Sequence, residues 1–244
     1  AKIGENHPST ADTLNNMGGV YDAQNKYDKA LSLYQKALSI LKATMGSENN
    51  PACADTINNI ATVYFHQEKY REALEYYKRA LNIYQQSYGA VHSVTASTNQ
   101  NIGNVYLAQG KFEDALNYYN KSLAIMKKTL GENHPDTGLG YANLGGLNYK
   151  LKKWDDALKF YEKALPVFKS SLTPTHPWTK GLLARIADTY MAKGQPKKAN
   201  KYYREAGVDQ QGDISVADTL SITERKLITK AQIRNYSDLS SQGS

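Results

Sequence analysis

The 244-residue chain holds one cysteine, Cys53, and no apolar run approaching the length of a membrane helix. A lone thiol excludes an internal disulfide and a cysteine-built zinc site. A spanning helix needs about 18–20 consecutive apolar residues, so no such span is expected. No basic-then-apolar opening segment of the secretory kind is present either. Strand alternation of apolar and polar residues is missing, which removes sheets and propellers. Also missing are a glycine-rich phosphate loop and a zinc-protease helix motif. No catalytic constellation, cofactor or metal is therefore expected, and a reducing, cytoplasmic setting is the expected location.

What the chain does have is 19 tyrosines against 4 phenylalanines, and a formal net charge of +7. The tyrosines are regular. An alanine followed four residues later by tyrosine occurs as Ala30/Tyr34, Ala73/Tyr77, Ala115/Tyr119, Ala157/Tyr161 and Ala199/Tyr203, at steps of 43, 42, 42 and 42 residues. The segment Gly4 to Pro8, GENHP, returns unchanged at Gly131 to Pro135, with degraded copies at Glu48–Pro51, Val91–Ser93 and Thr175–Pro177. Fixed periods of this length mark stacked repeats.

Each unit reads as two amphipathic helices. In the first unit, helix one runs from about Thr10 to Gln24, with Leu14, Met17, Gly18 and Tyr21 at helical spacing on one face. A polar break, Gln24-Asn25-Lys26, precedes a second helix carrying Tyr27, Ala30, Leu31, Tyr34, Ala37, Leu38 and Leu41. A period near 42 alone leaves HEAT and armadillo units open. Gly18, Tyr21, Ala30, Tyr34 and Ala37 reproduce the glycine, tyrosine, alanine, aromatic, alanine spacing of tetratricopeptide repeats. The later units repeat it with Ala61/Tyr64, Gly103/Tyr106, Gly145/Asn148 and Ala187/Tyr190. Unit four departs at the tyrosine.

The expected fold is therefore all-α, an α-solenoid superhelix of five helix–turn–helix units at about 4–45, 46–88, 89–130, 131–172 and 173–206. Residues 1–3 align with the end of a preceding second helix, which suggests a fragment of a longer array. Beyond the repeats, 207–220 reads as a polar linker. Residues 221–236 read as a terminal helix with capping-box spacing at Ser221 and Glu224, able to cover the last unit. Residues 237–244 read as a disordered tail.

The stretches Thr13 to Tyr21 and Lys26 to Leu38, repeated at Thr56 to Tyr64 and Lys69 to Leu81, together with the HP-containing loop, resemble kinesin light chain repeats. That resemblance implies a protein-binding adaptor that holds an extended peptide in an inner groove lined by the first helices. One first-helix position reads Asn16, Asn59, Asn101, Asn143 and then Arg185. An interior asparagine is about 0.6 kcal/mol worse than alanine in a helix, yet its amide donates and accepts at once. A row of amides roughly 10 Å apart, the spacing of packed helices, suits an extended backbone. By the resemblance, this is the ligand-contacting asparagine position; structural bridging between repeats is the other reading.

A groove-edge row reads Asp22, Phe65, Leu107, Tyr149 and Met191, suited either to side-chain pockets or to packing. Asn104, Asn143 and Arg185 stand where a carboxylate clamp places its two asparagines and arginine. Its lysine positions hold Gln100 and Gly181. His7, His92, His134 and His176 recur at one loop position, as caps rather than converging metal ligands. Cys53, near a helix start, reads as a structural thiol or a mildly acidic one.

Lys193, Lys197, Lys198, Lys201 and Arg204 thicken the charge toward the C-terminal end, as solvated helix faces rather than a nucleic-acid patch. The expected partner is a protein or peptide, acidic by charge complementarity. Neither nucleic acid nor membrane is expected as a partner. Self-association through the C-terminal segment and a place beside a catalytic domain in a larger protein are the competing readings.

Overall fold

The structure, a computed structural model, describes residues 7–207. Among them run ten α-helices: α1 (Pro8–Ala23), α2 (Tyr27–Met45), α3 (Pro51–His66), α4 (Tyr70–Tyr88), α5 (Ser93–Ala108), α6 (Phe112–Thr129), α7 (Pro135–Lys150), α8 (Trp154–Ser171), α9 (Pro177–Ala192) and α10 (Pro196–Ala206). No strand occurs among the described residues. The expected end of a preceding repeat, the terminal helix, the tail and all of the linker but Gly207 lie outside them.

Odd-numbered helices begin on a shared device. His7, His92, His134 and His176 are N-caps, each accepting at Nδ1 from the backbone N–H two residues on: Ser9 at 3.2 Å, Val94 at 3.4 Å, Asp136 at 3.2 Å and Trp178 at 3.2 Å. Asn50 does the same for Ala52 at 2.9 Å. A cap satisfies one of the orphan donors at a helix start. Proline follows at N1 in α1, α3, α7 and α9, where its missing N–H is harmless. That is why α1 starts at Pro8, two residues before the pattern suggests.

The polar break between the helices of each pair is a Schellman turn. In the first pair Lys26 N donates to Tyr21 O at 2.9 Å and Asn25 N to Asp22 O at 2.8 Å. The same two bonds close the other four pairs, as with Lys111 to Tyr106 and Gly110 to Leu107. The turn needs one residue in the left-handed region; Asn25, Glu68 and Lys152 occupy it alongside Gly110 and Gly194.

Two compact units divide after Gly131. The first holds α1–α6 as three helix pairs, the second α7–α10 as two. Within pairs, small residues let the helices close. A Cβ on Gly18 would meet the Tyr34 ring at 2.7 Å, one on Gly103 the Tyr119 ring at 2.6 Å, and one on Gly145 the Tyr161 ring at 2.4 Å. Ala30, Ala73, Ala115, Ala157 and Ala199 are fully buried opposite.

Between pairs of the first unit, Ala37 and Leu41 of α2 join a core with Cys53, Ala54 and Ile57 of α3. Ala30 and Tyr34 form another with Ile60 and Val63. Each fully buried aliphatic side chain is worth about 1.5–3 kcal/mol, so stacking rather than propensity holds the pairs. Cys53 belongs to this core; burial pushes its thiol pKa up, which removes the acidic-thiol reading.

Candidate peptide-binding surfaces

The first helices of the first unit lie side by side. Asn15 Nδ2 on α1 donates to Thr56 Oγ1 on α3 at 2.9 Å, and Asp22 Oδ1 meets His66 Nδ1 at 2.9 Å. The Asp22–His66 pair is buried on both sides. In the expected groove-edge row Asp22 is thus a structural bridge. Phe65 is buried against the rings of His66 and Tyr70. Leu107 is half-buried, Tyr149 packs on Trp154 at 5.0 Å between ring centres, and Met191 is exposed.

The asparagine row differs from Asn15, Asn99, Asn104 and Asn148, while Asn58 beside it shares the lack of a side-chain partner, its Oδ1 being buried and unbonded. Asn16 is exposed and Asn59, Asn101 and Asn143 are half-buried. None of the four makes a side-chain hydrogen bond among the described residues. By contrast Asn15 is bonded to Thr56, Asn99 donates to Thr95 O at 2.8 Å, and Asn148 donates to Leu144 O at 2.8 Å. Asn104 accepts from the Tyr119 hydroxyl at 2.7 Å, so its carbonyl is committed to the fold while its amide nitrogen is not.

That bond is part of a rule the sequence reading missed. The hydroxyl of the repeat tyrosine meets the side chain fifteen residues earlier: Tyr77 with Thr62 at 2.8 Å, Tyr119 with Asn104, and Tyr203 with Asp188 at 2.5 Å. In the fourth pair that earlier place is Gly146, and Arg185 of α9 hydrogen-bonds the Tyr161 hydroxyl instead. A fixed offset of fifteen between tyrosine and a polar residue was the available signal.

Charge is distributed unevenly. Helices α1, α3 and α5 carry Asp12, Asp22 and Asp55 and no lysine or arginine. In the second unit, α7 and α9 carry Lys150, Lys180 and Arg185 against Asp136 and Asp188, an excess of one positive charge. The chain's excess positive charge therefore does not line the first helices of the first unit.

Asp55 accepts from Tyr84 Oη at 2.5 Å. Crowding around its carboxyl and the charge of Asp12 raise its pKa to about 6, against the lowering effect of the Tyr84 bond. A carboxyl raised on folding holds its proton longer in the native state, so its contribution is fully present below about pH 3.9 and is lost as pH rises through about 6. Asp55 is an exposed residue, so water screens the effect. Asp55→Asn is expected to flatten, by a small amount, the decline in stability between pH 4 and 6, as read from urea midpoints at each pH. An unchanged slope would mean that Asp55 ionises as freely folded as unfolded.

In the second unit, Leu139, Ala142, Asn143, Phe168, Trp178, Leu182 and Arg185 line a small open cleft of about 40 Å³. Phe168 and Trp178 meet with ring centres 5.9 Å apart. The absence of a side chain at Gly138 makes room for Phe168, whose ring would lie 2.8 Å from a Cβ there.

A sequence model of the tetratricopeptide repeat matches residues 1–43, 52–128, 94–170 and 136–206. The chain belongs to the tetratricopeptide repeat family. Its fold is the α-solenoid of that family. BtubC (BKLC) from P. vanneervenii is similar at 22% identity and a TM-score of 0.72, over 82% of this chain and 79% of that one. A Podosopora anserina protein described as a kinesin light chain with nearly identical TPR-like repeats gives 20% identity and 0.67, over 82% and 94%. The Rap conjugation gene regulator of plasmid pLS20, solved with the Phr* peptide, gives 19% and 0.63, over 93% and 57%. Likenesses at these identities establish the fold. No curated protein matches the chain.

Tetratricopeptide repeats are protein-interaction scaffolds, and the chain has that architecture. Among the described residues no helix is long and apolar enough to cross a membrane. Likewise no group of three or more His, Cys, Asp or Glu there could hold a metal ion. At the two lysine positions of a carboxylate clamp, Gln100 and Gly181 are both buried, so neither supplies a donor to a free carboxylate.

Proposed function

We propose that this tetratricopeptide chain binds an extended peptide along its first helices and serves as a cytoplasmic adaptor of the kinesin light chain type, without catalysis of its own. The observation that carries the reading is the asparagine row. Asn16, Asn59, Asn101 and Asn143 hold one register position and keep both amide groups unspent. A helix retains unfavourable asparagines there with no internal use for them. Backbone recognition uses a donor and an acceptor at each step, which an amide supplies.

In the second unit Arg185 ends the row with a charge and Tyr149 holds the groove-edge register; in the first unit Phe65, Leu107 and the nitrogen of Asn104 hold the neighbouring positions. An acidic preference belongs to the second unit, where the cations are. The first unit suits a neutral or donor-rich segment.

The test is the triple variant Asn59→Ala, Asn101→Ala and Asn143→Ala against a peptide array. Each change raises helix propensity by about 0.6 kcal/mol, so the variant is expected to be at least as stable as the parent while losing most captured peptides. Undiminished capture by the folded variant would make the row structural and sink the reading.

A further inference from the structure

The second helices of the first unit reverse the charge of its first helices. Helices α2, α4 and α6 carry nine lysines and arginines against five aspartates and glutamates, whereas α1, α3 and α5 have three aspartates and no lysine or arginine. Part of that positive charge is neutralised internally, since Lys42 and Arg79 both pair with Glu48. Lys78, Lys111 and Lys121 are different. All three are exposed, and none is in an ion pair among the described residues.

Tyrosine rings hold them instead. Tyr106 of α5 and Tyr118 of α6 stack with ring centres 5.4 Å apart. Lys78 of α4 stands 5.7 Å from the centre of the Tyr106 ring, and Lys111, in the turn before α6, stands 6.0 Å from it. Lys121 stands 5.1 Å from the centre of the Tyr118 ring. Three cations from α4, α6 and the turn between α5 and α6 thus surround one stacked pair. A hydrogen bond to the Tyr106 hydroxyl raises the Lys78 pKa, and the charge of Asp114 contributes less than Tyr106 does. A ring attracts an ammonium without neutralising it. The charge stays available, and the side chain has already lost some of the freedom that binding a partner would remove.

The cluster is set apart from the asparagine row, because Tyr106 follows Asn101 by five residues, about 140° round the helix. Nor do the rings offer a platform for nucleic-acid bases, which stack on an open aromatic face. Tyr106 is only 9% exposed, and Tyr118 and two lysines already lie against it.

We propose that Lys78, Lys111 and Lys121 form a docking surface on the second-helix side of the first unit for an acidic segment of a partner protein, rich in aspartate or glutamate. Charge complementarity selects this occupant, since the same segment would be repelled along α1 and α3. The surface lies beyond the peptide-binding reading and does not depend on it.

The probe is a fluorophore-labelled peptide alternating glutamate with serine, acetylated and amidated, read by fluorescence anisotropy with the full chain. Its glutamine counterpart and a short oligothymidylate are run beside it. The glutamate peptide is expected to bind, the glutamine one not, and binding should weaken as salt rises. Replacing Lys78, Lys111 and Lys121 together by glutamine should weaken it roughly tenfold, as the loss of three exposed charge pairs. The same three changed to arginine should bind like the parent. The control is Lys159→Gln with Lys163→Gln and Lys201→Gln, exposed lysines of α8 and α10, which removes equal charge and should cost about twofold or less. If the first glutamine triple is unfolded by circular dichroism, the single changes decide, each expected to lose about twofold.

Equal losses from the two glutamine triples would mean that net charge alone attracts the peptide, and the site falls. It falls too if the glutamate peptide does not bind, or if the oligothymidylate binds more tightly. Loss of the peptide in the Asn59, Asn101 and Asn143 alanine variant would place it on the asparagine row instead. Binding that appears only after Asp209→Asn, Asp213→Asn and Asp218→Asn would make the chain's own acidic stretch the occupant and overturn the partner reading.

Discussion

Ile60→Ala is expected to lower the free energy of unfolding by about 2–5 kcal/mol, while Met17→Ala, one repeat earlier in the same register, changes it by about 0.5 kcal/mol or less. Ile60 is 1% exposed and packs with Ala30, Tyr34 and Val63, so truncation leaves a cavity between α2 and α3. Met17 is 44% exposed and its neighbour Val20 is 57% exposed, whereas Val63 at the matching place is fully buried. Burial at this register comes from the second helix of the pair before, and no described helix precedes α1. Urea midpoints followed by circular dichroism would measure both variants. Comparable losses would mean that Met17 is covered in solution.

Adjacent glycines on α7 give the second large contrast. Gly145→Ala is expected to destabilise by about 1–3 kcal/mol, since the new methyl would lie 2.4 Å and 2.5 Å from two atoms of the Tyr161 ring. That ring is 1% exposed and has nowhere to go. Gly146→Ala should instead stabilise by about 0.5–1 kcal/mol, the usual gain of alanine over glycine in a helix. Its nearest neighbour is the end of the Arg185 side chain at 3.3 Å, a contact relieved by a shift of a few tenths of an ångström. Thermal unfolding of the two variants should bracket the parent. If both fall on the same side, the close approach at Gly145 is softer than its geometry says.

The fold was legible because its signals are local and repeat. Ala30 and Tyr34, or Ala157 and Tyr161, are four apart on one helix, and the turn between helices is written in three residues. The histidines were legible as caps for the same reason, since His134 and Pro135 announce a helix start together. The site was less legible. That one surface row is asparagine could be read from Asn59, Asn101 and Asn143, but not that Asn104 owes its carbonyl to Tyr119.

Contacts made forty or more residues apart carry no periodic signature. Asp22 stands in a row whose other members are apolar, and only the placement of α1 beside α3 explains it through His66. Trp178 likewise sits just after a cap. Its part in a cleft depends on Phe168 and Gly138 being where they are.

The histidine caps have an implication for how the molecule meets acid. An imidazole that has taken up a proton has no lone pair left at Nδ1 to accept from a backbone N–H. The start of α9, capped by His176, therefore rests on an acceptor that a proton can switch off. The start of α3, capped by Asn50, rests on an amide that no proton in this range touches. Burial holds the His176 ring toward its neutral form, so α9 keeps its fastening into more acid solution than an imidazole in open water would allow.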